Sequence, residues 1–497
     1  MKWMKFLIPF IALLFAFNSC KKNELNTDSS VMLEFSADTM IFDTVFTTIG
    51  TTTEFLKIYN NEDQPIEVSN ISLARGSSSQ FRINVDGVAG ISFDNIEIPA
   101  EDSLFIFVEA TIDPNNINSP LIVTDSILFQ TNGNLQDVDL VAWGQDAHFY
   151  YGQQFSPGFP DIVCLEGDCE TNTCGDFFWP NDKPYVVYGY LVVDSCQKLI
   201  IEQGTQVHFH QGSGLWVYEY GQIEAIGSLD EPIVFQGDRP ESVFDEIPGQ
   251  WDRIWINHGN AGQDNVFEHC VIKNNFLGIQ AEPLVLTEDD LFGPGAENKL
   301  ILRNVITRNN SGAGLLLKNY NVQAENCLFA NAGQSTVAIN GEGEYNFNFC
   351  TFGNYWSFGT RNTPSFFVSN TYVDQLQNLQ VRSIENSQVT NSIIYGNGFD
   401  EIGFVFDNSG GALSNIIFDK VLMKVDETDV SDDNVFTDIL INQNPQFVEP
   451  SDGDFHLLLN SPVIDRPNSP FAPFIGIDIE ENSRIGNGDW GCYEYQE

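Results

Sequence analysis

Five short segments of the chain repeat one pattern, and this repeat restricts the possible folds more than any other feature. Each begins with a polar or aromatic residue, and four of the five end in asparagine: 269–274, 304–309, 326–331, 349–354 and 391–396. Their second residues are 35, 22, 23 and 42 residues apart (305−270, 327−305, 350−327, 392−350). A period near 22, with one insertion and one doubled interval, is typical of a solenoid whose units stack on their neighbours. Apolar residues alternate within the segments, which predicts strands.

Further segments extend the series on both sides. Residues 199–218 contain three strand-like runs separated by glycine-containing turns, and more runs follow up to 256. Short pieces rich in Pro, Gly and Asp occur at 444–465 and 488–495. Together these segments resemble the right-handed parallel β-helix proteins, pectate-lyase-like in fold, found among bacterial cell-envelope lipoproteins. The resemblance covers about 185–495 and implies that the C-terminal pieces form a closing coil. It implies no particular activity, because one fold hosts many functions.

Residues 31–146 predict a separate antiparallel β domain. Seven or so short strands, separated by turn residues such as Asp86-Gly87 and Asn132-Gly133, are typical of a β-sandwich. The runs 56–68 and 98–104 resemble immunoglobulin-like sandwiches of the ASPM/SPD-2/hydin kind, which serve mostly as spacers or docking modules. The predicted fold class is all-β, with an N-terminal β-sandwich followed by a right-handed parallel β-helix solenoid at 185–497.

The first twenty residues have the composition of an export signal. Lys2 and Lys5 precede the apolar run 6–17, which is shorter than a membrane-spanning helix. The run leads into Asn-Ser-Cys and resembles a bacterial lipoprotein signal peptide in which Cys20 is lipidated; the alternative is an ordinary signal peptide with a chance cysteine. The polar residues 21–30 are predicted to form a flexible tether. We expect a lipid-anchored protein of the bacterial cell envelope, at the outer membrane, on its periplasmic or its surface side.

The chain is strongly acidic, with 22 Lys and Arg against 69 Asp and Glu and a formal net charge of −47. Such a surface repels phosphate backbones, which argues against a nucleic-acid partner. It also repels polyuronates unless Ca²⁺ bridges the charges. The expected partners are the membrane, through the lipid anchor, and a polysaccharide or envelope proteins. We expect no resident cofactor.

Four of the nine cysteines lie within 33 residues (196−164+1), at Cys164, Cys169, Cys174 and Cys196. An exported chain meets an oxidising compartment, so two local disulfides are expected, with their pairing left open. A Cys₄ zinc site is the alternative, but its CxxC pairs are missing. The surrounding segment 147–184 is rich in proline and aromatic residues and is predicted to be a linker that caps the first coil.

The repeat assigns structural roles to its own residues. Cys270, Cys327 and Cys350 occupy the second position, which should point inward, so we interpret them as small buried hydrophobes with free thiols. Asparagine tolerates left-handed backbone angles and bonds readily to neighbouring main chain, which predicts a stacked ladder at the turn after each strand. The ladder residues are Asn274, Asn309, Asn331 and Asn354.

The sharpest candidate for a ligand surface lies in the run 215–220. If the apolar residues face inward, Trp216, Tyr218 and Tyr220 face outward, and a flat row of aromatic rings suits stacking on sugars. The alternative is that the cysteine-rich linker or the sandwich packs on this row.

One strand earlier, the same alternation turns His208 and His210 outward beside that row. Two histidines at this spacing offer metal ligands, but no third ligand is evident. An acidic insertion at 281–298 offers a second, weaker metal candidate, because Glu288, Asp289 and Asp290 carry oxygen ligands suited to Ca²⁺. The EF-hand spacing is missing there, so a solvated acidic loop is the favoured interpretation.

Three classes of function compete on this evidence. The first is a non-catalytic envelope lipoprotein whose β-helix is a binding or adhesion scaffold for glycans or envelope components. The second is a polysaccharide lyase or glycoside hydrolase on the same fold, and the third is a structural subunit of a surface assembly. An enzyme of this kind needs converging carboxylates, or Asp with Ca²⁺ and a base, and no such group emerges. The sequence therefore favours the first class and assigns no catalytic residue.

Overall fold

The computed structural model describes residues 24–113, 121–167, 169, 173–285, 295–374 and 376–497. The chain divides into two compact units between Asp146 and Ala147. Within the described residues the helices are single short 3₁₀ turns, at Gly76–Ser78, Ser242–Phe244, Ser409–Gly411 and Pro450–Asp452. None of the helices in this part of the chain has the length and apolar character needed to cross a membrane. Cys20 and the acidic residues Glu288, Asp289 and Asp290 lie outside the described residues.

The first unit is a β-sandwich, as predicted. Its strands are β1 (Glu34–Phe35), β2 (Thr39–Phe46), β3 (Glu54–Asn60), β4 (Ile66–Leu73), β5 (Phe81–Val85), β6 (Val88–Gly90), β7 (Ser92–Ile98), β8 (Asp102–Ala110), β9 (Leu121–Thr131) and β10 (Asn134–Gln145). They form two five-stranded sheets, ordered β1-β3-β8-β5-β6 and β2-β10-β9-β4-β7. Alternate residues such as Leu56, Ile58 and Ile106 fill the core between them. The pairing is antiparallel except between β2 and β10, which run parallel.

The predicted flexible tether at 21–30 is partly wrong. The backbone N–H of Asn26 donates to the carbonyl of Pro65 at 2.8 Å. The side chain of Asn132 donates to the carbonyls of Asn26 and Asp28, both at 3.0 Å, and that of Asn134 to the carbonyl of Ser29 at 2.7 Å. These amides satisfy backbone groups that would otherwise need water. The segment is therefore fixed on the sandwich from Asn26 onward.

The second unit is built almost entirely from short strands. They are β11 (His148–Tyr151), β12 (Ile162–Cys164), β13 (Gly175–Trp179), β14 (Tyr185–Tyr188), β15 (Tyr190–Val193), β16 (Gln197–Ile201), β17 (Gln206–Phe209), β18 (Gly214–Val217), β19 (Gln222–Ile226), β20 (Ile233–Gly237), β21 (Ile254–Ile256), β22 (Asn265–Glu268), β23 (Cys270–Lys273), β24 (Ile279–Ala281), β25 (Lys299–Arg303), β26 (Ile306–Asn310), β27 (Leu315–Lys318), β28 (Asn321–Glu325), β29 (Leu328–Ala332), β30 (Val337–Asn340), β31 (Tyr345–Asn348), β32 (Thr351–Asn354), β33 (Phe366–Ser369), β34 (Thr371–Val373), β35 (Leu379–Val381), β36 (Ile384–Gly396), β37 (Ile402–Val405), β38 (Ser414–Met423), β39 (Phe436–Thr437), β40 (Leu440–Ile441), β41 (Phe447–Glu449) and β42 (Asp454–Leu457).

These strands wind into a parallel β-helix with three strands per coil. The first sheet contains β11, β14, β17 and every third strand up to β32. The second is ordered β12-β15-β18-β21-β24-β27-β30-β33-β37. The third runs from β13 through β16 and β19 up to β31. β36 and β38 each run through both the first and the third sheet. The solenoid prediction is confirmed.

Side chains stack in columns inside the solenoid because successive coils lie in register. One column contains seven directly paired positions, all buried: Phe267, Leu302, Ala324, Phe347, Val389, Phe418 and Phe436. The rung cysteines Cys270, Cys327 and Cys350 belong to the same core and are free thiols. Each coil thus shields the apolar face of the next, which is the source of stability in solenoids.

In the five coils that carry the repeat, a single left-handed residue joins the third sheet to the first, whereas the first three coils use the connections 180–184, 202–205 and 227–232. The left-handed residue is the first residue of the repeat, and its φ is 46° at His269, 52° at Asn304, 50° at Asn326, 52° at Phe349 and 49° at Asn391. Asparagine enters this region at least cost among residues with a side chain. The sharp corner explains why the chain can turn in one residue without a loop.

The segment 147–184 is not a linker, and the solenoid does not begin at Tyr185. β11, β12 and β13 pair in parallel with β14, β15 and β16, so this segment forms the first coil. Its prolines and most of its cysteines lie in the connections, which obscured the short strands between them. The two predicted disulfides are confirmed: Cys164 pairs with Cys169, and Cys174 pairs with Cys196.

The interval between Cys350 and Ser392 is not doubled. β32 pairs directly with β36, as in Thr351 with Ile393, so one coil fills the whole interval. The additional residues form a long connection, 355–365, and a hairpin of β34 with β35. Residue counting alone does not distinguish two coils from one coil with two insertions.

The C-terminal pieces do not form a closing coil. β41 and β42 pair only with each other, antiparallel, and residues 444–497 form a strap across the outer face of the first sheet. Strap residues including Phe447, Phe455 and Trp490 pack on Leu328 and Ile393, which point outward. The backbone of the strap is held by corner asparagines: Asn326 donates to the Ile477 carbonyl at 3.0 Å, and Asn391 accepts from the Ser469 N–H at 2.7 Å.

We predict that removal of the Cys174–Cys196 disulfide loosens only the N-terminal coils. The bridge joins the start of β13 to the start of β16 and closes a loop of 22 residues. Such a crosslink stabilises by about 3 kcal/mol. In the double variant Cys174→Ser/Cys196→Ser, hydrogen exchange should accelerate in β11–β16 and stay unchanged from β25 onward. The Cys164→Ser/Cys169→Ser variant is the control, since its bridge spans only 5 residues. Equal acceleration along the whole solenoid would contradict the prediction.

We also predict that the strap loosens as pH rises. Burial disfavours the charged form of His456, but hydrogen bonds with Asp454 and Glu480 outweigh it and raise the pKa of His456 above its ordinary 6.5. The stabilisation by the imidazolium is therefore complete below pH 6.5 and is lost as pH rises through the raised pKa. Intrinsically corrected hydrogen exchange in 444–497 should be faster at pH 8 than at pH 6, and His456→Gln should remove the difference. An unchanged difference in the variant would refute this role.

Candidate binding cleft

The predicted aromatic row is not an open platform. Trp216 points away from the core but is only 9% exposed, because it lies in an outer cluster with Cys164, Tyr190 and Val192. Its ring stacks on Trp255 at 4.7 Å between ring centres, and its indole N–H donates to Asn257 at 2.7 Å. The disulfide-bonded end of the first coil packs on this face, which is the alternative that the sequence left open.

The other two members of the row leave it because β18 ends at Val217. Tyr218 packs partly into the same outer cluster. Tyr220 has a left-handed φ of 61°, is 41% exposed and meets His258 edge-on at 5.4 Å. Strand alternation therefore does not extend to these residues, and the three rings do not form one flat surface.

The two candidate histidines have different surroundings. Desolvation lowers the pKa of His208 to about 4, so the ring is neutral, and its Nδ1 lies 2.8 Å from the Gly237 carbonyl. His210 is half exposed, with Nδ1 2.7 Å from a carboxylate oxygen of Asp238, and its ring is tilted by 32° against that of Tyr188 at 4.7 Å between ring centres. Among the described residues, no group of three His, Cys, Asp or Glu side chains is arranged to hold a metal ion.

Together, the four asparagines of the predicted ladder bond both to the neighbouring coil and to segments outside the stack. The Tyr355 N–H donates to Asn331 at 3.0 Å, and the Ala332 N–H donates to Asn354 at 3.1 Å. Asn274, Asn309 and Asn331 adopt left-handed φ angles, but Asn354 lies within β32 with an ordinary φ. Their amides donate to the Asp245 carbonyl at 2.7 Å, to Glu246, to the Pro450 carbonyl at 3.2 Å and to the Gln334 carbonyl at 3.0 Å, respectively. A direct amide pair between neighbouring coils exists one residue further on, where Asn310 donates to Asn275.

A cleft of about 600 Å³ lies at the corner between the first and second sheets, near the C-terminal end of the solenoid. In the two preceding coils this corner takes four residues, 311–314 and 333–336, whereas here it takes eleven, 355–365. The next coil contributes 397–401, and the one after it contributes Thr428. The long connection therefore builds a concave wall where the two preceding coils turn in four residues. We call this site the corner cleft.

A buried ion pair ties the first two of these loops together. Arg361 and Glu401 form two parallel bonds, of 2.8 Å from Nη1 and 2.6 Å from Nη2, and their side chains are 3% and 0% exposed. The guanidinium also donates to the carbonyl of Asn354 at 3.2 Å and to the side chain of Asn397 at 3.0 Å. Glu401 accepts the Gly398 N–H at 2.6 Å. This geometry is the bidentate fork that only arginine provides.

The adjacent carboxylate ties the second loop to the third. Asp400 accepts the backbone N–H groups of Asp426, Glu427 and Thr428 at 2.7, 3.1 and 3.2 Å. Burial acts to raise the pKa of Asp400, but these backbone hydrogen bonds outweigh it and hold the pKa below its ordinary value. Backbone N–H groups thus hold Asp400 in its charged form, which does not suit a general acid.

The remaining wall of the corner cleft combines aromatic rings with neutral polar groups. Phe399 is 84% exposed at the rim, and Trp356 is buried to 9% exposure beneath the long connection. The hydroxyl and amide side chains in the lining are those of Thr360, Asn362, Thr363, Asn397 and Thr428. Its volume falls in the range of pockets that enclose a small ligand. The arrangement suits a ligand with an apolar face and hydroxyl groups.

The corner cleft is not predicted from the sequence, although the sequence contains a signal for it. The 42-residue interval between Cys350 and Ser392 contains the long connection, but the interval was interpreted as two coils. Arg361 and Glu401 are 40 residues apart, and nothing local marks them as partners. Only the pairing of β32 with β36 shows that their loops are neighbours.

Comparison with known proteins gives no family. The sequence matches no protein-family model and no curated protein. It is similar to a family 123 glycoside hydrolase from Clostridium perfringens, at 10% identity over 24% of this chain and 30% of that one, with a TM-score of 0.17. It is also similar to PapD-like domain 7 of human CEP192, at 8% identity over 26% of this chain and 92% of that one, with a TM-score of 0.16. The E. coli chaperone DraB matches at 11% identity over 22% and 54%, with a TM-score of 0.16. TM-scores this low carry no functional argument.

We predict that loss of the Arg361–Glu401 ion pair makes the loops of the corner cleft more mobile. Glu401→Gln leaves the Arg361 charge buried without a counter-charge, which costs about 3–5 kcal/mol. Hydrogen exchange in 355–365 and 397–401 should accelerate and the denaturant midpoint should fall. The double variant Arg361→Met/Glu401→Leu removes both charges and should recover most of the lost stability. A Glu401→Gln variant with wild-type exchange would contradict this role of the pair.

Proposed function

We propose that this chain is a membrane-anchored cell-envelope lipoprotein whose β-helix is a non-catalytic scaffold that binds glycans. The observation that carries the proposal is the corner cleft, in which an exposed aromatic ring stands beside neutral hydroxyl and amide groups. A sugar presents an apolar ring face and a rim of hydroxyls, which matches this combination. The finer assignment to a pectate-lyase-like β-helix and an immunoglobulin-like sandwich belongs to the same proposal.

The charges of the cleft favour binding over catalysis. Glycoside hydrolysis needs one carboxyl group that can donate a proton and a second one that is free to act. Glu401 is occupied by Arg361, and Asp400 is occupied by three backbone N–H groups. Glu401 accepts four hydrogen bonds and Asp400 accepts three, so a catalytic role for either carboxylate would compete with the hydrogen bonds that hold the loops. We therefore assign both carboxylates a structural role, in which they fix the shape of the site.

The connection between the predicted lipid anchor and the sandwich is short, which limits how far from the membrane the protein can bind a glycan. Asn26, the first residue that the described structure fixes to the sandwich, follows Cys20 by six positions (26−20). Six residues span at most about 20 Å. With Cys20 lipidated, the sandwich would stay close to the membrane and act as a spacer for the solenoid.

The proposal is tested by glycan binding to the purified full-length protein. We expect an array of envelope and extracellular polysaccharides to give at least one ligand, bound without cleavage products. Phe399→Ala should weaken that binding about three- to tenfold, because a stacked ring contributes about 0.5–1.5 kcal/mol. The matched control is Phe178→Ala, which removes a phenylalanine that is 69% exposed on β13, outside the cleft.

Two outcomes would refute the proposal. One is an array that stays silent for the wild-type protein, and the other is a ligand whose affinity drops equally in the Phe399→Ala and Phe178→Ala variants. Release of reducing ends or unsaturated products from a bound glycan would replace the scaffold by an enzyme.

A further inference from the structure

We infer that the corner cleft selects neutral sugars and rejects uronic acids. The inference rests on the proposed glycan-binding function and adds the chemical class of the ligand. A site for acidic sugars needs at least one cation that can meet a ligand carboxylate. The described residues around the cleft do not provide one.

The cation in the lining is already committed. Both terminal nitrogens of Arg361 bond to Glu401, and they also donate to the carbonyls of Thr363 and Asn354 and to the side chain of Asn397. A ligand carboxylate would have to displace Glu401, whose side chain is fully buried. Displacement would leave that carboxylate buried without a counter-charge, which is strongly unfavourable.

A second cation, Lys424, follows the strand β38 and is also occupied. The ammonium group of Lys424 donates to the Gly396 carbonyl at 3.0 Å and lies 5.4 Å from the ring centre of Tyr395. The cation is therefore directed at the first sheet, behind the loops. Lys424 does not belong to the lining of the cleft.

The charged residues in and next to the lining of the cleft carry a net negative charge. Arg361, Asp400 and Glu401 sum to −1, and Lys424, Asp426, Glu427 and Asp429 add −2 (one positive and three negative charges). Asp426 and Glu427 are exposed on the loop that carries Thr428 into the lining. The chain as a whole carries −47, so the local field and the long-range field have the same sign. A neutral ligand escapes this repulsion and still uses the rings and hydroxyls.

The test compares matched pairs of oligosaccharides that differ only in oxidation at C6, a neutral hexose oligomer and its uronic acid counterpart. Binding to the full-length protein is measured in EDTA at about 20 and about 500 mM salt. We expect the neutral member to bind at least about tenfold more tightly at low salt. The difference should shrink at high salt, because screening removes the repulsion.

Asn362→Lys provides the complementary test. Asn362 is exposed and lines the cleft, so a lysine there adds a cation to the lining. We expect the variant to gain binding of the uronic acid member while Phe178→Lys, an equal charge change far from the cleft, does not.

The two levels of the proposal fail differently. If neither member of any pair binds, the glycan-binding function itself is wrong. If both bind in a manner that depends on Phe399 and the uronic acid binds as tightly as the neutral sugar or more tightly, the function stands and the selectivity is wrong.

Discussion

In the coils that carry the repeat, the in-register stacking of parallel strands depends on one backbone conformation, the left-handed residue that joins the third sheet to the first. His269, Asn304, Asn326, Phe349 and Asn391 all adopt it, although their side chains differ. The constraint therefore acts on the backbone: one residue must turn the chain so that the next strand starts in register. Because that corner is a single left-handed residue in these five coils, their added residues enter at the other two corners. The corner cleft is such an addition.

Loops lie outside the hydrogen-bonded sheets, so their backbone N–H and C=O groups need other hydrogen-bond partners. In the corner cleft two adjacent carboxylates are such partners, acting in opposite directions along the solenoid. Glu401 reaches back to Arg361 and the Ser365 N–H of the preceding coil, and Asp400 reaches forward to three N–H groups of the following segment. Three loops from three turns of the chain thereby become one wall. Both carboxylates therefore serve to hold the loops of the site together.

The fold was largely predictable because it depends on local alternation and on a period, both of which are visible in one sequence. The inward cysteines Cys270, Cys327 and Cys350 follow from that pattern alone. The failures concern what covers an outward-facing residue. Trp216 is shielded by residues near the first disulfide, and Leu328 by a strap more than a hundred residues later in the chain. Alternation indicates that such residues point outward, but long-range packing decides whether they meet water.

The buried ion pair in the cleft is better explained by loop geometry than by a gain in folding stability. Two apolar side chains of similar volume would stabilise the fold at least as well as Arg361 and Glu401, since burial of charges costs more than their attraction returns in many proteins. The Nε of Arg361 is even buried without a hydrogen-bond partner. The pair adds a fixed geometry. The planar guanidinium of Arg361 donates to several acceptors at set angles, which holds the two loops in one relative position. An apolar contact would allow those loops to slide, so the pair is better explained by the shape of the cleft than by stability.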